Sequence, residues 1–356
     1  MIPVAIPQDF NRSKEFQPGD VADGRYRILR RLADGGMGTV FLAEHMLIKR
    51  RVAIKLLHAD LAGDRDIVHR FLNEALAAGT LGHPHIVEST DMSFTRDRIP
   101  YIVFEYLEGC LLIEEIRRLG RLPVRRALLI GRQIASALEA AHSAQIAHLD
   151  LKSDNVFLTN RGDAPDHAKL LDFGISRFMA SDDDTTGPDV FMGTPEFMAP
   201  EQVIQPSLVD CRADIYSFGV VLYEMLTGHC PFASGDSGSV LDRVIYESPP
   251  PLGRPVPRAL ECLLFDGLLV KSPQHRVQSM TEVLAILDAL IAAMRPWSVD
   301  VVPVFEEPAE SSAPHGLPNP PSLRSLPSAT SVPIERWFDD EPPRLEAPPW
   351  EAEVWP

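Results

Sequence analysis

Cysteine is sparse and scattered in this chain of 356 residues: Cys110, Cys211, Cys230 and Cys262 never form a C-x-x-C pair. Such spacing signals neither a zinc site nor a disulfide framework, and a reducing cytosol is the simplest home for it. Long apolar runs are missing too. The most hydrophobic window, Val283 to Met294, covers 12 residues and contains Asp288, whereas a membrane-spanning helix needs about 20 apolar residues. The opening MIPVAIPQDF lacks a basic segment followed by an apolar one, the pattern of an export leader. A cytoplasmic protein without membrane insertion is therefore expected. Positive charge is also short. With 34 Lys and Arg against 50 Asp and Glu, the net charge is −16, which argues against a general affinity for nucleic acid or anionic lipid. Holding a phosphate would require local cations.

What is present fits a soluble globular protein: 45% hydrophobic and 24% charged residues, enough to bury a core. At roughly 150 residues per domain, the length suggests about two domains or one two-lobed unit. The sequence contains no internal repeat. From Arg295 onward the composition shifts, and these 62 residues hold 14 of the 32 prolines and 11 acids against 4 arginines. Proline removes backbone donors and like charges repel, so this stretch reads as a disordered tail. All four tryptophans, Trp297, Trp337, Trp350 and Trp355, lie in it. They are either scattered aromatics or the anchors of a segment that docks a partner or inhibits its own chain. Residues 1–25 read as a short extension.

The body between these ends starts with β-type runs and then becomes helix-rich. Tyr26–Leu32, Thr39–Glu44 and Arg51–Leu57 carry β-formers broken by turn residues, which predicts three antiparallel strands. Asp64 can cap a helix whose one face carries Ile67, Phe71, Glu74 and Ala78. Glu74 interrupts that apolar stripe, and a carboxylate turned toward a core demands a cation. Tyr101–Tyr106 reads as a buried strand, and Ala127, Ile130, Ile134, Leu138 and Ala141 as the inner face of a helix after Pro123. Asp214–Thr227 is apolar almost all round, as suits the central post of a helical lobe.

Three segments carry chemistry. Leu32-Ala33-Asp34-Gly35-Gly36-Met37-Gly38-Thr39-Val40 joins the first two strands. A glycine-rich turn there can bring backbone N–H groups to phosphate oxygens, although a plain tight hairpin would use the same residues. In Val52-Ala53-Ile54-Lys55, strand alternation puts Ala53 and Lys55 on one face. Lys55 alone reads as a surface lysine, but the inward position of Glu74 pairs the two as a phosphate-holding site. The third segment is His148-Leu149-Asp150-Leu151-Lys152-Ser153-Asp154-Asn155. It leads through Val156-Phe157-Leu158, a polar turn at Asn160–Gly162 and Ala168–Leu171 to Asp172-Phe173-Gly174. A hairpin over this stretch brings Asp172 beside Asp150 and Asn155. Two acids, an amide and a lysine meet there, a hard oxygen site suited to Mg²⁺ with one carboxylate left as base. The acids are too few for a calcium loop.

In that order and spacing, the VAIK, HLDLKSDN and DFG segments, with Ala199-Pro200-Glu201, resemble a eukaryotic-like protein kinase. The likeness runs from the glycine loop to the last helix. Gly35–Gly38, His83–Val87 and Gly193–Glu201 are similar to the bacterial serine/threonine branch. The resemblance implies an α+β, two-lobed kinase fold over residues 26–294, with a small β lobe (26–106), a larger helical lobe (107–294) and the tail 295–356. It implies ATP and Mg²⁺ as cofactors and protein serine or threonine as substrate. By the same likeness, Lys55 held by Glu74 contacts the α- and β-phosphates, and Asn155 and Asp172 hold Mg²⁺. Asp150 accepts the hydroxyl proton, Lys152 neutralises the moving phosphoryl group, and Thr194 bridges Asp150 and Lys152. Residues 32 to 40 cover the nucleotide. Val40, Ala53 and Phe157 sandwich adenine, the backbones of Glu105 and Leu107 bond it, and Phe104 is the gatekeeper. Asp214 supports the catalytic loop, Glu201 pairs with Arg276, and His148 and Phe173 join the core.

Two positions depart from the family pattern. Ala33 stands where the first loop glycine is usual and adds a Cβ at the turn, which would weaken nucleotide affinity or loop closure. Leu149 replaces the arginine that commonly precedes the catalytic aspartate, removing the cation that receives an activation-loop phosphate. Ser181-Asp182-Asp183-Asp184-Thr185-Thr186 reads equally as an autophosphorylated segment, a built-in negative charge or a solvated loop. An active serine/threonine protein kinase is the leading reading. A nucleotide-binding scaffold without turnover is the alternative, and a small-molecule phosphotransferase is disfavoured by Gly193–Glu201, which is similar to a peptide-positioning segment.

Overall fold

The computed structural model describes residues 16–161, 164–172, 177–178, 194–233 and 239–294. Phe173, Gly174, Ser181–Thr186, Gly193 and the stretch from Arg295 lie outside the described residues.

The first half of the body forms an antiparallel sheet of β1 (Val21–Ala22), β2 (Tyr26–Asp34), β3 (Gly38–His45) and β4 (Arg51–Leu57), with α1 (Arg65–Leu81), β5 (Ser89–Phe94) and β6 (Pro100–Glu105) following. The strand order is β1-β2-β3-β4-β6-β5. In β4 the period-two pattern is visible in burial: Val52, Ile54 and Leu56 are buried, whereas Ala53 and Lys55 are only half-buried. The inner face meets α1 in a core that includes Phe41, Ile54, Phe71 and Ile102. Helix α1 starts where Asp64 accepts hydrogen bonds from Asp66 N (2.9 Å) and Ile67 N (3.2 Å). It stops at Gly82, whose φ of 51° is left-handed.

The sheet has six strands where apolar patterning predicts only four. β5 was missed because Ser89–Phe94 (STDMSF) is a mostly polar edge strand with no apolar alternation. β1 has two residues and lies within the stretch read as an extension; it pairs Val21 with Arg27 and Ala22 with Tyr26.

The second half begins with β7 (Gly109–Leu111), α2 (Leu112–Leu119) and α3 (Val124–Ser143). It continues through β8 (Ile146–Ala147), β9 (Val156–Arg161), β10 (Ala164–Leu170) and β11 (Arg177–Phe178). The helices α4 (Pro200–Ile204), α5 (Arg212–Thr227), α6 (Val240–Tyr246), α7 (Arg258–Cys262) and α8 (Met280–Ala293) complete it. Helix α5 is buried on every side from Ala213 to Leu226, as its unbroken apolar sequence predicts. It packs on α3, which also carries α8. Burying each large side chain such as Phe218 or Leu222 contributes roughly 1.5–3 kcal/mol. This makes α5 the rigid base from which the loops are hung. Gly228 ends it at φ 92°, where a Cβ would meet Gly120 O at 1.8 Å, so only glycine fits.

β9 pairs with β10 and β7 in a small sheet. The β9–β10 hairpin is the one expected between Val156–Leu158 and Ala168–Leu171, and it positions Asp172. β10 also joins the halves: Leu170 N donates to His85 O (2.8 Å) and Val87 N to Leu170 O (3.0 Å). Lys169 donates to Ile86 O (3.1 Å) and to the Glu105 carboxylate (2.5 Å).

Candidate active site

Lys55 is placed by register. On β4 it lies opposite Val40 of β3 and Ile102 of β6, and its neighbour Ala53 lies opposite Leu42 and Phe104. From there the ammonium donates to both oxygens of Glu74, Oε1 at 2.9 Å and Oε2 at 2.8 Å, and also to Asp172 Oδ1. The Lys55–Glu74 pair is the one the apolar stripe on α1 demands. The contact to Asp172 depends on the β9–β10 hairpin and was not legible in either segment alone.

Here two carboxylates share one ammonium. Burial works against the Lys55 charge, but Glu74 and then Asp172 outweigh it and hold the ammonium above its ordinary pKa. The cost of the second negative charge falls on the most deeply enclosed acid. Burial and the nearby Asp172 push the Glu74 carboxyl up to about 8, against the pull of Lys55.

The loop after β8 holds the second cluster. Lys152 Nζ donates to Asp150 Oδ2 (2.8 Å) and to Thr194 Oγ1 (3.1 Å), so the lysine itself touches both partners. Asn155 Nδ2 donates to Asp150 O (2.9 Å) and to Asp150 Oδ2 (3.2 Å). Leu171 N donates to Asn155 O at 2.8 Å, which brings Asp172 next to this loop. A base, an ammonium and two hard oxygen donors are thus assembled in one place. Asn155 Nδ2 is taken up by Asp150, which leaves the amide Oδ1 as its acceptor. Asn155 Oδ1 with an Asp172 carboxylate suits Mg²⁺, an ion that takes few protein oxygens and completes its shell with phosphate and water.

Beneath the loop, Asp214 of α5 has no exposed surface. It accepts from Leu149 N at Oδ1 (2.7 Å) and from His148 N at Oδ2 (2.8 Å). His142 Nε2 lies 2.7 Å from Oδ2. An ionised carboxylate can only accept, so that ring nitrogen carries a proton. Burial opposes the Asp214 charge, but the His142 contact and the backbone donors outweigh it and keep its pKa below the ordinary value. His142 was not singled out in the sequence, although it follows Leu138 by four residues on the inner face of α3. Arg276 donates to Glu201 through Nη1 (2.7 Å) and Nη2 (3.0 Å), as expected. His148 is buried, with Nε2 3.0 Å from Leu171 O and Nδ1 accepting from Asp150 N at 3.3 Å.

The glycine-rich turn is closed by its own polar contacts. Thr39 Oγ1 donates to Asp34 Oδ1 (2.8 Å), and His58 Nε2 lies 3.3 Å from both. Bonds from Thr39 and Arg31 hold the Asp34 carboxyl down at about 2. Gly35 N donates to Gly38 O at 3.0 Å, and among the described residues nothing lies within 4 Å of where a Gly36 Cβ would be. Gly38 is glycine for a packing reason: a Cβ there would lie 2.3 Å from Leu56 O. Ala33 is an exposed strand residue paired with Val40. Leu32 and Met37 are half-buried at the edges of this turn. Val40, Ala53 and Phe157 are also half-buried beside buried neighbours Phe41, Ile54 and Leu158. Phe104, opposite Ala53 on β6, is buried, and Glu105 and Leu107 are half-buried.

A small antiparallel lobe with one long helix, joined to a helical lobe that carries an Asp-Lys-Asn loop on a buried central helix, defines the protein kinase class. The chain belongs to this family: the protein kinase domain matches residues 26–285. It is 40% identical over 275 residues to serine/threonine-protein kinase Pkn1 of Myxococcus xanthus, covering 76% of this chain and 38% of that protein. It is 36% identical over 280 residues to serine/threonine-protein kinase PrkC of Bacillus subtilis, covering 78% of this chain and 42% of that one. With serine/threonine-protein kinase PknA of Mycobacterium tuberculosis the identity is 34% over 310 residues, 86% of this chain and 69% of the relative. The chain thus spans about two fifths of the length of the first two relatives.

Proposed function

We propose that the chain is a serine/threonine protein kinase that moves the γ-phosphoryl group of ATP to hydroxyls of proteins, itself included, in cytoplasmic signalling. The observation that carries this reading is the Lys55 ammonium, gripped by both oxygens of a buried Glu74 and tied through Asp172 to the loop bearing Asp150. Among the described residues, no helix is long and apolar enough to cross a membrane.

In this reading, Lys55 contacts the α- and β-phosphates under the turn of residues 32–40, and Glu74 keeps its ammonium in place. The adenine lies between Val40 and Ala53 on one side and Phe157 on the other, bonded by the backbones of Glu105 and Leu107 and bounded by Phe104. Asn155 and Asp172 are the residues that would hold Mg²⁺, which when bound supplies positive charge to the phosphate oxygens. Among the described residues, both bonds to the Asp150 carboxylate fall on Oδ2, and Oδ1 accepts the proton of the substrate hydroxyl. The substrate oxygen, freed of that proton, then bonds to the γ-phosphorus as the bond from the γ-phosphorus to the β-phosphate oxygen breaks and ADP leaves. Lys152, steadied by Thr194, neutralises charge on the transferring group.

The test is phosphate transfer from labelled ATP with Mg²⁺ to a generic protein substrate, with Asp150→Asn alongside. Loss of the base is expected to lower the rate about 10²- to 10⁴-fold. Equal labelling by both proteins would refute the assignment. The proline-rich stretch from Arg295, with Trp297, Trp337, Trp350 and Trp355, is assigned to docking a partner protein. A chain ending at Met294 should then co-purify with fewer proteins than the full chain; identical sets would make it a spacer.

A further inference from the structure

The residue just before the proposed base has an unfavourable backbone. Leu149 has φ 64°, a left-handed conformation that costs a non-glycine residue about 1–2 kcal/mol. Something must hold it. On its N–H side the holder is Asp214 (2.7 Å), already described. On its carbonyl side it is Gln202 of α4, whose Nε2 donates to Leu149 O at 3.0 Å. The other end of that amide, Oε1, accepts from Ala199 N at 2.9 Å and so caps the first turn of α4. Both neighbours fix the amide's orientation: a backbone N–H needs the oxygen, a backbone carbonyl needs the nitrogen.

The peptide joining Leu149 to Asp150 is therefore held at both ends, with Gln202 at its oxygen and His148 Nδ1 accepting from Asp150 N at 3.3 Å. The tilt of that peptide plane sets where the Asp150 side chain begins. We propose that Gln202 is a positioning residue for Asp150, clamping the strained Leu149–Asp150 peptide to the Ala199–Pro200 corner. This rests on the kinase reading and extends it. Leu149 supplies no cation at this point, and Gln202 ties it to Ala199 by neutral hydrogen bonds that need no phosphate.

Gln202→Glu keeps the acceptor for Ala199 N, but sets a carboxylate oxygen against the Leu149 carbonyl. Gln202→Met, uncharged and of similar length, removes the bond without repulsion. In both variants kcat should fall about tenfold, the worth of one buried hydrogen bond. KM for ATP should stay within twofold. Hydrogen exchange read on the full chain should rise in residues 147–152 and remain unchanged in α5. In a Leu149→Gly background, where φ 64° is unstrained, the kcat loss from Gln202→Met should shrink. Unchanged exchange in residues 147–152 overturns the proposal, whether or not the chain proves active. So does an unchanged kcat, or a loss of kcat equalled by a loss of ATP affinity and thermal stability. A wild-type chain with no transfer activity would instead sink the kinase reading, while the exchange result still decides the clamp.

Discussion

Replacing Asp214 by asparagine tests whether a buried carboxylate supports the catalytic loop. The side chain receives three donors, Leu149 N at Oδ1 and His148 N with His142 Nε2 at Oδ2. Asparagine keeps the shape but turns one oxygen into a donor, so either orientation points an N–H at a backbone N–H. The less costly orientation keeps the oxygen on His148 and His142 and leaves the Leu149 N–H unpaired. A lost charge-assisted bond and an orphaned buried N–H together cost about 3–5 kcal/mol. In a folded unit of this size each kcal/mol moves Tm by about 2–4 °C, so a drop of roughly 10 °C is expected in a thermal melt at pH 7. The pH dependence follows from the depressed Asp214 pKa. The unfolded chain takes up the proton first, at about pH 3.9. The stabilisation is therefore complete above that value and is lost as pH falls through the lower folded pKa. The gap between wild type and Asp214→Asn should narrow in acid. A Tm within about 2 °C of wild type at pH 7, or a gap that stays constant down to pH 3, would refute the reasoning.

Glu74→Gln should separate stability from activity. Burial and Asp172 already push the Glu74 carboxyl up to about 8, and Lys55 retains Asp172, so Tm should fall by no more than about 4 °C. The ammonium exchanges two carboxyl oxygens for one amide oxygen, and kcat/KM for ATP should drop roughly three- to tenfold, the worth of one hydrogen bond. Unaltered kcat/KM in steady-state kinetics would deny Glu74 a role in holding Lys55.

The site residues differ in how far the local sequence discloses them. Lys55 and Glu74 were legible because helical spacing puts the Glu74 carboxylate on an inward face, where it demands a cation, and strand alternation puts Lys55 on one face with Ala53. The whole apolar circumference of α5 gave its central place, and the strand-turn-strand pattern after Asn155 gave the hairpin that delivers Asp172. β5 was not legible, since an edge strand half in water needs no apolar period. Neither was the polar lock of Asp34, Thr39 and His58, whose members come from three strand ends.

By itself, then, the sequence determined the order of the elements, the identity of the charged groups and the two faces from which Lys55 and Glu74 approach. These are properties of local periodicity, and local periodicity is written along the chain. Only the tertiary structure decided that His142 lies against Asp214, that Lys169 ties Glu105 to β10, and that Gln202 reaches the Leu149 carbonyl. Those contacts join residues 53 to 72 positions apart. Their partners are polar groups that water would satisfy equally well, and it is burial in the finished fold that selects one partner from many.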